Sequence, residues 1–215
     1  MAVIIKWLAH AGFQIKAERK IIYIDLEKYG EFSEKADLLL VTHLHTDHCD
    51  PEQIQKARRP DTVVIAPSDC ASKIGGDVMT LRPEEETEVG GIHVKAVEAY
   101  GIKRFRTPGV LFHPRGLGVG YLITAEGKTI YHAGDTDLIP EMRQLTNIDV
   151  ALLPSGDTYT MNNGDAAEAA LAFKPCAVIP MHRWSTNPEE LKEKVESKSD
   201  IKVVILKEGQ EYRVP

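Results

Sequence analysis

Cysteine is scarce in this chain. Cys49, Cys70 and Cys176 are three in 215 residues, an odd and widely spaced set that provides no disulfide framework and suits a reducing compartment. Long apolar runs are also missing. No window approaches the roughly 18 residues that a membrane helix needs, so no membrane span is expected. The opening, MAVIIKWLAH, lacks the basic stretch, apolar core and cleavage site of a secretory leader, and a cytoplasmic protein is predicted. Basic clusters are sparse as well. The 26 Lys and Arg are scattered and the formal net charge is −6, which argues against nucleic acid as a partner. There is no repeat of fixed period and no low-complexity tail, and nothing sets an oligomeric state. What is present is 43% hydrophobic sequence, enough to bury a core, over a length that suits one domain spanning 1–215.

The most informative stretch is Thr42–Asp50, THLHTDHCD. It places His43, His45, Asp47 and His48 in the spacing H-x-H-x-D-H. The preceding DLLLV, Asp37–Val41, reads as a buried strand. Asp50, Pro51 and Glu52 supply an N-cap, an N1 proline and an early acid, so a helix starts there. In extended chain, residues two apart point the same way. His43 and His45 therefore converge on one ion, and Asp47 and His48, past a turn, face a second. Imidazole and carboxylate suit zinc, iron or manganese. Cys49 reads as a small buried side chain that points away.

Around this motif, Val3–Leu8, Phe13–Ala17 and Ile21–Leu26 read as strands in hairpin succession. Asp25 ends the third, either as an acid in solvent or as a carboxylate that orients a ligand histidine. Helices are expected over Pro51–Arg58, Asp69–Ile74 behind a Ser68 N-cap, Leu138–Leu145, Asp165–Phe173 and Pro188–Ser197. Strands are expected at Thr62–Ala66, Ile92–Ala99, Asp149–Leu153 and Cys176–Pro180. Val119–Asp135 reads as a hairpin turned at Glu126-Gly127. Tyr100–Gly120 is a long, basic, glycine-rich segment, of the kind that usually carries function. Two sets of strands, each followed by helices, permit either two sheets face to face with helices outside or one doubly wound α/β sheet.

Further motifs carry a resemblance. WLAHAGFQI near the start, YHAGDTD at Tyr131–Asp137 and PMH at Pro180–His182, together with THLHTDHCD, resemble the metallo-β-lactamase fold hydrolases. The nearest branch is the one that contains L-ascorbate-6-phosphate lactonase and N-acyl-phosphatidylethanolamine phospholipase D; Ala9 stands where that branch usually has Gly. The matches run in family order from Trp7 to His182. The resemblance implies an α/β (α+β), four-layer αββα sandwich with two mixed sheets face to face, helices outside and the site at one edge. It implies two divalent ions, zinc first with Mn or Fe as alternatives. His43 and His45 would hold the first, Asp47, His48 and His182 the second, and Asp135 would bridge. Relatives commonly place a third histidine on the first ion near the position of Tyr100. His113 is the nearest substitute, and without one the first ion would be weak.

The implied activity is that of a metal-dependent hydrolase, in which a metal-activated hydroxide cleaves a small ester, lactone or phosphodiester. Asp47 would steer the water, and His132 would either donate to a developing oxyanion or pack beneath the site. His10 lines the pocket or contacts metal or substrate. Arg104, Arg106 and Arg115 form either a solvated face or an anion clamp for an anionic small molecule. The alternatives are a nuclease-type phosphodiesterase, a di-iron oxidoreductase, which His45 disfavours because such relatives place Glu there, and a non-catalytic metal-binding module.

Overall fold

The computed structural model describes residues 2–215. In chain order its elements are β1 (Ile4–Ala9), β2 (Gly12–Ala17), β3 (Lys20–Ile24), β4 (Leu38–Leu40), α1 (Pro51–Ala57), β5 (Val63–Ala66), α2 (Ser68–Ile74), β6 (Met79–Thr80), β7 (Glu86–Val89) and β8 (Ile92–Ala99). Then come β9 (Phe105–Thr107), β10 (Val110–Leu111), β11 (Gly118–Ala125), β12 (Lys128–His132), a 3-10 turn at Pro140–Gln144, β13 (Val150–Pro154), α3 (Asn163–Phe173), β14 (Ala177–Met181), α4 (Pro188–Glu196), β15 (Lys202–Val203) and β16 (Glu211–Arg213).

The strands form two seven-stranded sheets, ordered β16-β1-β2-β3-β4-β5-β6 and β15-β14-β13-β12-β11-β8-β7, and a small β9–β10 hairpin. Both large sheets are mixed. The β1–β2–β3 meander is antiparallel, whereas β3 through β6 run parallel. In the second sheet β12 through β15 are parallel, and β11, β8 and β7 are antiparallel. The parallel strands read LLL, VVIA, VALLP and AVIPM because both of their faces are covered.

Three apolar clusters separate four layers. Phe13, Ile15, Ile22 and Leu40 of one sheet meet Val94, Tyr121, Ile123 and Leu152 of the other in a central core. Tyr23, Leu39 and Val64 pack outward on α1 and α2 through Ile54, Ala57 and Ile74. Tyr131, Leu153 and Val178 pack outward on α3 and α4 through Ala166, Ala170, Leu191 and Val195. The chain is thus the helix–sheet–sheet–helix sandwich expected, and the doubly wound alternative is set aside. Among the described residues no helix is long and apolar enough to cross a membrane.

Helix starts follow their capping chemistry. The Asp50 side chain accepts from the backbone N–H of Glu52 and Gln53 ahead of α1, and Asn162 and Asp165 form a reciprocal capping box on α3. Two expectations shift. The helix anticipated at Leu138–Leu145 is a short 3-10 turn entered at Pro140. Ser68 is the first helical residue of α2 rather than its cap; Pro67 takes the cap position without a side-chain bond. Parallel strands point their C-terminal ends toward one edge of a sheet, where α/β architectures place their ligands. The ends of β3, β4, β12 and β14 carry Asp25, His43, Asp135 and His182 within a few residues.

Candidate metal centre

Asp25 organises the first part of the site. It is fully buried, with φ +49°. Its Oδ1 accepts from the Thr42 N–H at 2.8 Å. Its Oδ2 accepts from the Thr42 hydroxyl at 2.7 Å and from His48 Nδ1 at 2.8 Å. The Thr42 oxygen, having donated to Asp25, is left as an acceptor for His43 Nδ1 at 3.0 Å. One carboxylate therefore sets the tautomer of two histidines, directly for His48 and through a hydroxyl for His43. Both rings are left with the Nε2 lone pair facing inward. The orienting role anticipated for Asp25 is the arrangement found.

The remaining strand ends meet those lone pairs. Asp135 Oδ2 lies 3.1 Å from His113 Nε2, 3.2 Å from His182 Nε2 and 3.9 Å from His43 Nε2, and its Oδ1 lies 3.3 Å from His48 Nε2. His45 Nδ1 is 3.0 Å from His43 Nε2 and 3.2 Å from His113 Nε2. The donors fall into one group of His43, His45 and His113, another of His10, Asp47, His48 and His182, and a third of His43, His48 and Asp135 that overlaps both. His113, from the irregular segment before β11, thus stands beside His43 and His45, the place left open at Tyr100. Cys49 is buried in the outer core with Ile54 and Cys70, outside these groups.

These contacts are poor hydrogen bonds but good ligand spacings. His48 Nε2, Asp135 Oδ1 and both ring nitrogens of His182 are buried without a hydrogen-bond partner. The His48–Asp135 and His182–Asp135 approaches have the distance of an ion pair without the geometry of a hydrogen bond. Around a tetrahedral ion with bonds of about 2.0–2.1 Å, neighbouring donor atoms sit about 3.3 Å apart. Orphaned, buried imidazole and carboxylate atoms at that spacing fit a divalent cation.

Electrostatics agree. Burial raises the Asp135 carboxyl, but the histidines His182 and His48 outweigh it and hold it well below the usual range. Burial lowers His48, but Asp135 and Asp25 outweigh it and push the ring well above its ordinary value. A cation would take the place of the proton these carboxylates demand. His43, lowered first by burial and then by His48, stays neutral and so a competent ligand. Burial also raises Asp47, yet the hydrogen bond from His10 Nε2 at 3.2 Å and the nearby His48 leave it a strong anion.

The backbone is strained here. His10, Asp25, His182 and Trp184 all have φ between +46° and +49°, a left-handed conformation costly for non-glycine residues and concentrated at functional sites. The His182 N–H donates to His10 O at 2.9 Å, which ties the first hairpin to the last strand end. Close approach demands glycine at the site. A Cβ at Gly118 would lie 2.8 Å from His43 Cβ, and one at Gly156 would collide with the His182 carbonyl.

A cavity of about 560 Å³ opens over the cluster, lined by Leu44, His45, Asp47, Arg106, Tyr159 and Trp184 among others. Arg106 is exposed there and pairs with no carboxylate among the described residues; its guanidinium lies 5.9 Å from the Phe112 ring. Three of the anticipated roles do not fit their placement. His132 is fully buried beneath the site, with Nε2 donating to Ala11 O at 2.9 Å and Nδ1 accepting from Gly134 N–H, so no donor is left for an oxyanion. Arg104 is buried and ion-paired with Asp137 and Asp165. Arg115 pairs with Glu98 and Glu141 and lies over the Tyr100 ring. Neither of these arginines is free to clamp an anion. The aromatic walls Tyr159 and Trp184 escaped the sequence reading; Trp184 lies two residues past the PMH motif, the one signal that pointed to it.

A family model described as a beta-lactamase superfamily domain matches residues 4–182. A UPF0173 metal-dependent hydrolase of Thermococcus kodakarensis is 37% identical, over 98% of this chain and 99% of that protein. A crystal structure from Parabacteroides distasonis, of a protein assigned as a metal-dependent hydrolase, has a TM-score of 0.88 at 34% identity, covering 94% of this chain and 92% of that one. Igni18, a metallo hydrolase from Ignicoccus hospitalis, has a TM-score of 0.81 at 25% identity, covering 99% and 98%.

Proposed function

The chain belongs to the UPF0173 metal-dependent hydrolases of the metallo-β-lactamase superfamily, and from that premise we propose that its histidine–aspartate cluster holds two divalent ions, zinc first, and hydrolyses a small ester, lactone or phosphodiester. The observation that carries this reading is the set of buried, unpartnered donor atoms on His48, Asp135 and His182. His43, His45 and His113 would hold one ion. Asp47, His48 and His182 would hold the other, with Asp135 between them and His10 beside Asp47. The resemblance to the ascorbate-6-phosphate lactonase branch favours the lactone within this class. A single hydrolase domain over 1–215, working in the cytoplasm, is part of the same reading.

Bound in this position, such ions supply Lewis acidity at a carbonyl or phosphoryl oxygen and lower the pKa of a water from ~15.7 toward ~7. The chain's own groups do the rest. Asp47 is held ionised and borders the open cavity, so it accepts the hydrogen bond that orients an attacking water. His10, which donates its Nε2–H to Asp47, holds that carboxylate in place, and Asp47 itself passes the water's proton to the leaving group. Arg106 faces the substrate and would bind a carboxylate or phosphate through its planar fork. Tyr159 and Trp184 exclude water around the reacting bond.

Metal analysis of the purified protein, followed by assay on lactones, thioesters and bis(p-nitrophenyl) phosphate, tests this. About two equivalents of metal per chain are expected, with hydrolysis lost to a chelator and restored by zinc. Metal retained without turnover of any of these substrates would instead support a binding module. Arg106→Ala should lower kcat/KM about tenfold for a phosphorylated lactone and little for its dephosphorylated form; equal losses on the two would remove the clamp.

A further inference from the structure

The cavity over the cluster has a neighbour that no step above uses. A second space of about 560 Å³ is lined by Trp7, His10, Glu27, Tyr29, Arg183 and Glu208 among others. Asp47 and Trp184 border both spaces, so the indole stands as a partition between them with the metal-binding cluster at its foot.

Glu27 makes this second space more than a surface groove. The residue is 6% exposed, lines the space, and has no hydrogen-bond or ion-pair partner among the described residues. Its carboxylate oxygens are not sealed off from solvent and open toward the space. Burial pushes the Glu27 carboxyl up, a cost that a cation beside it would remove. Glu208, exposed at the rim, forms no direct ion pair among the described residues but lies within the field of Arg183. The cation already present is engaged elsewhere. Arg183 stacks 4.0 Å over the Trp7 ring and donates to Leu206 O at 3.0 Å. The unfilled capacity of the space is therefore that of an acceptor and an anion. Two large aromatic rings stand beside it: Trp184, 59% exposed and packed on one side against His10 and His182, and Tyr29, 73% exposed with the Lys28 ammonium 5.9 Å from its ring. A neutral hydroxyl would satisfy one carboxylate oxygen and leave the charge uncompensated. A cation offsets the charge and is attracted to the ring faces.

We propose that this second space is a subsite for an ammonium-bearing arm of the substrate, with Glu27 as counter-charge and Trp184 and Tyr29 as aromatic walls. The scissile bond then lies at the metal-binding cluster and the arm passes round Trp184. The inference rests on the hydrolase reading for what happens to the bound molecule, but the binding itself is measurable without turnover.

Choline and its neutral isostere 3,3-dimethylbutan-1-ol, each titrated into the metal-loaded protein and followed by tryptophan fluorescence, provide the test. Choline should bind at least tenfold more tightly than the isostere. Glu27→Gln should remove most of that preference while hydrolysis of bis(p-nitrophenyl) phosphate, which has no cationic arm, stays unchanged. Tyr29→Ala, at an exposed position, should weaken choline about threefold. Choline preferred by a protein that hydrolyses nothing would uphold the subsite and remove the hydrolase reading. Hydrolysis without any preference between the two probes, or a preference that survives Glu27→Gln, would overturn the subsite and leave the hydrolase reading standing.

Discussion

The two halves of the cluster are built differently. His182 follows β14 directly and is tied by its backbone to His10, and His48 sits in the turn ahead of α1, locked by Asp25 at the end of β3. The half formed by His43, His45 and His113 borrows its last member from the segment before β11. There His113 is held by a contact to Tyr159 O at 3.3 Å and by a backbone bond from Gly101 to its own carbonyl. Beside it the β9–β10 hairpin exposes Phe105 and Val110. One half is placed by sheet architecture, the other by an irregular excursion. The first should bind an ion tightly and tolerate little. The second should be the adjustable half, looser in affinity and open to change in substrate.

The largest effect should come from the residue that both halves share. Asp135→Ala removes the carboxylate between them, so hydrolysis should fall to background and metal analysis should show at least one position empty. Full occupancy of both positions in that variant would count against the bridge and erase the contrast between the halves.

Asp25→Asn should come next. It keeps the shape but replaces a carboxylate that accepts from Thr42 and His48 with a group that can accept at one atom alone. Outer residues that orient metal ligands typically contribute about 10–100-fold in affinity. Chelator competition should show the larger loss in the class that contains His48, which Asp25 holds directly, and a smaller one in the class that contains His43, which it holds through Thr42. His113→Ala should act on the other half, reducing metal content from about two toward one equivalent per chain with the remaining ion held as firmly as before. Equal weakening of both classes in either variant would mean that the halves are one unit.

The contrast also explains what could be read from the chain alone. The H-x-H-x-D-H run was legible because its four groups are local and strand geometry aims them. Asp25 was legible as a strand-end acid beside that run, but whether it faced solvent or a histidine was not, because the Thr42 and His48 groups it accepts from are brought to it by folding. His113 stayed ambiguous because its meeting with His45 spans 68 residues of chain, and nothing local fixes where an aperiodic segment returns. His132 stayed open between an oxyanion donor and a packed residue for the reverse reason. It sits in a motif among site residues, but its ring enters the core, where Ala11 O and Gly134 N–H take both nitrogens. Arg104 and Arg115 stayed open between a solvated face and an anion clamp since a cluster of cations does not reveal its partners. Asp137 and Asp165 lie 33 and 61 residues beyond Arg104. The alternation of apolar strands with helices left two sheets or one open, and the four-layer arrangement was legible only through the resemblance; the antiparallel meanders at the start and middle of the chain are what make two sheets of it.

Those paired arginines lead to the smallest expected effect on chemistry. Arg104 is a peg for the irregular segment, 9% exposed and fixed to Asp137, Asp165 and the carbonyl of Asp157. Asp137 also accepts from the backbone N–H groups of Ile102 and Lys103. It therefore binds both the side chain and the backbone of the stretch that leads to His113. Arg104→Met keeps much of the volume but leaves Asp137, fully buried, as an uncompensated charge. Breaking a buried pair in this way costs about 3–5 kcal/mol, so denaturant unfolding should show a large loss of stability. Metal affinity in the half that contains His113 should fall by less than tenfold, because Tyr159 and Gly101 still hold that histidine. The other half should not change. A variant that keeps its stability but loses the ion at His113 would make Arg104 part of the binding machinery, and the division between a rigid half and an adjustable one would then have to be drawn elsewhere.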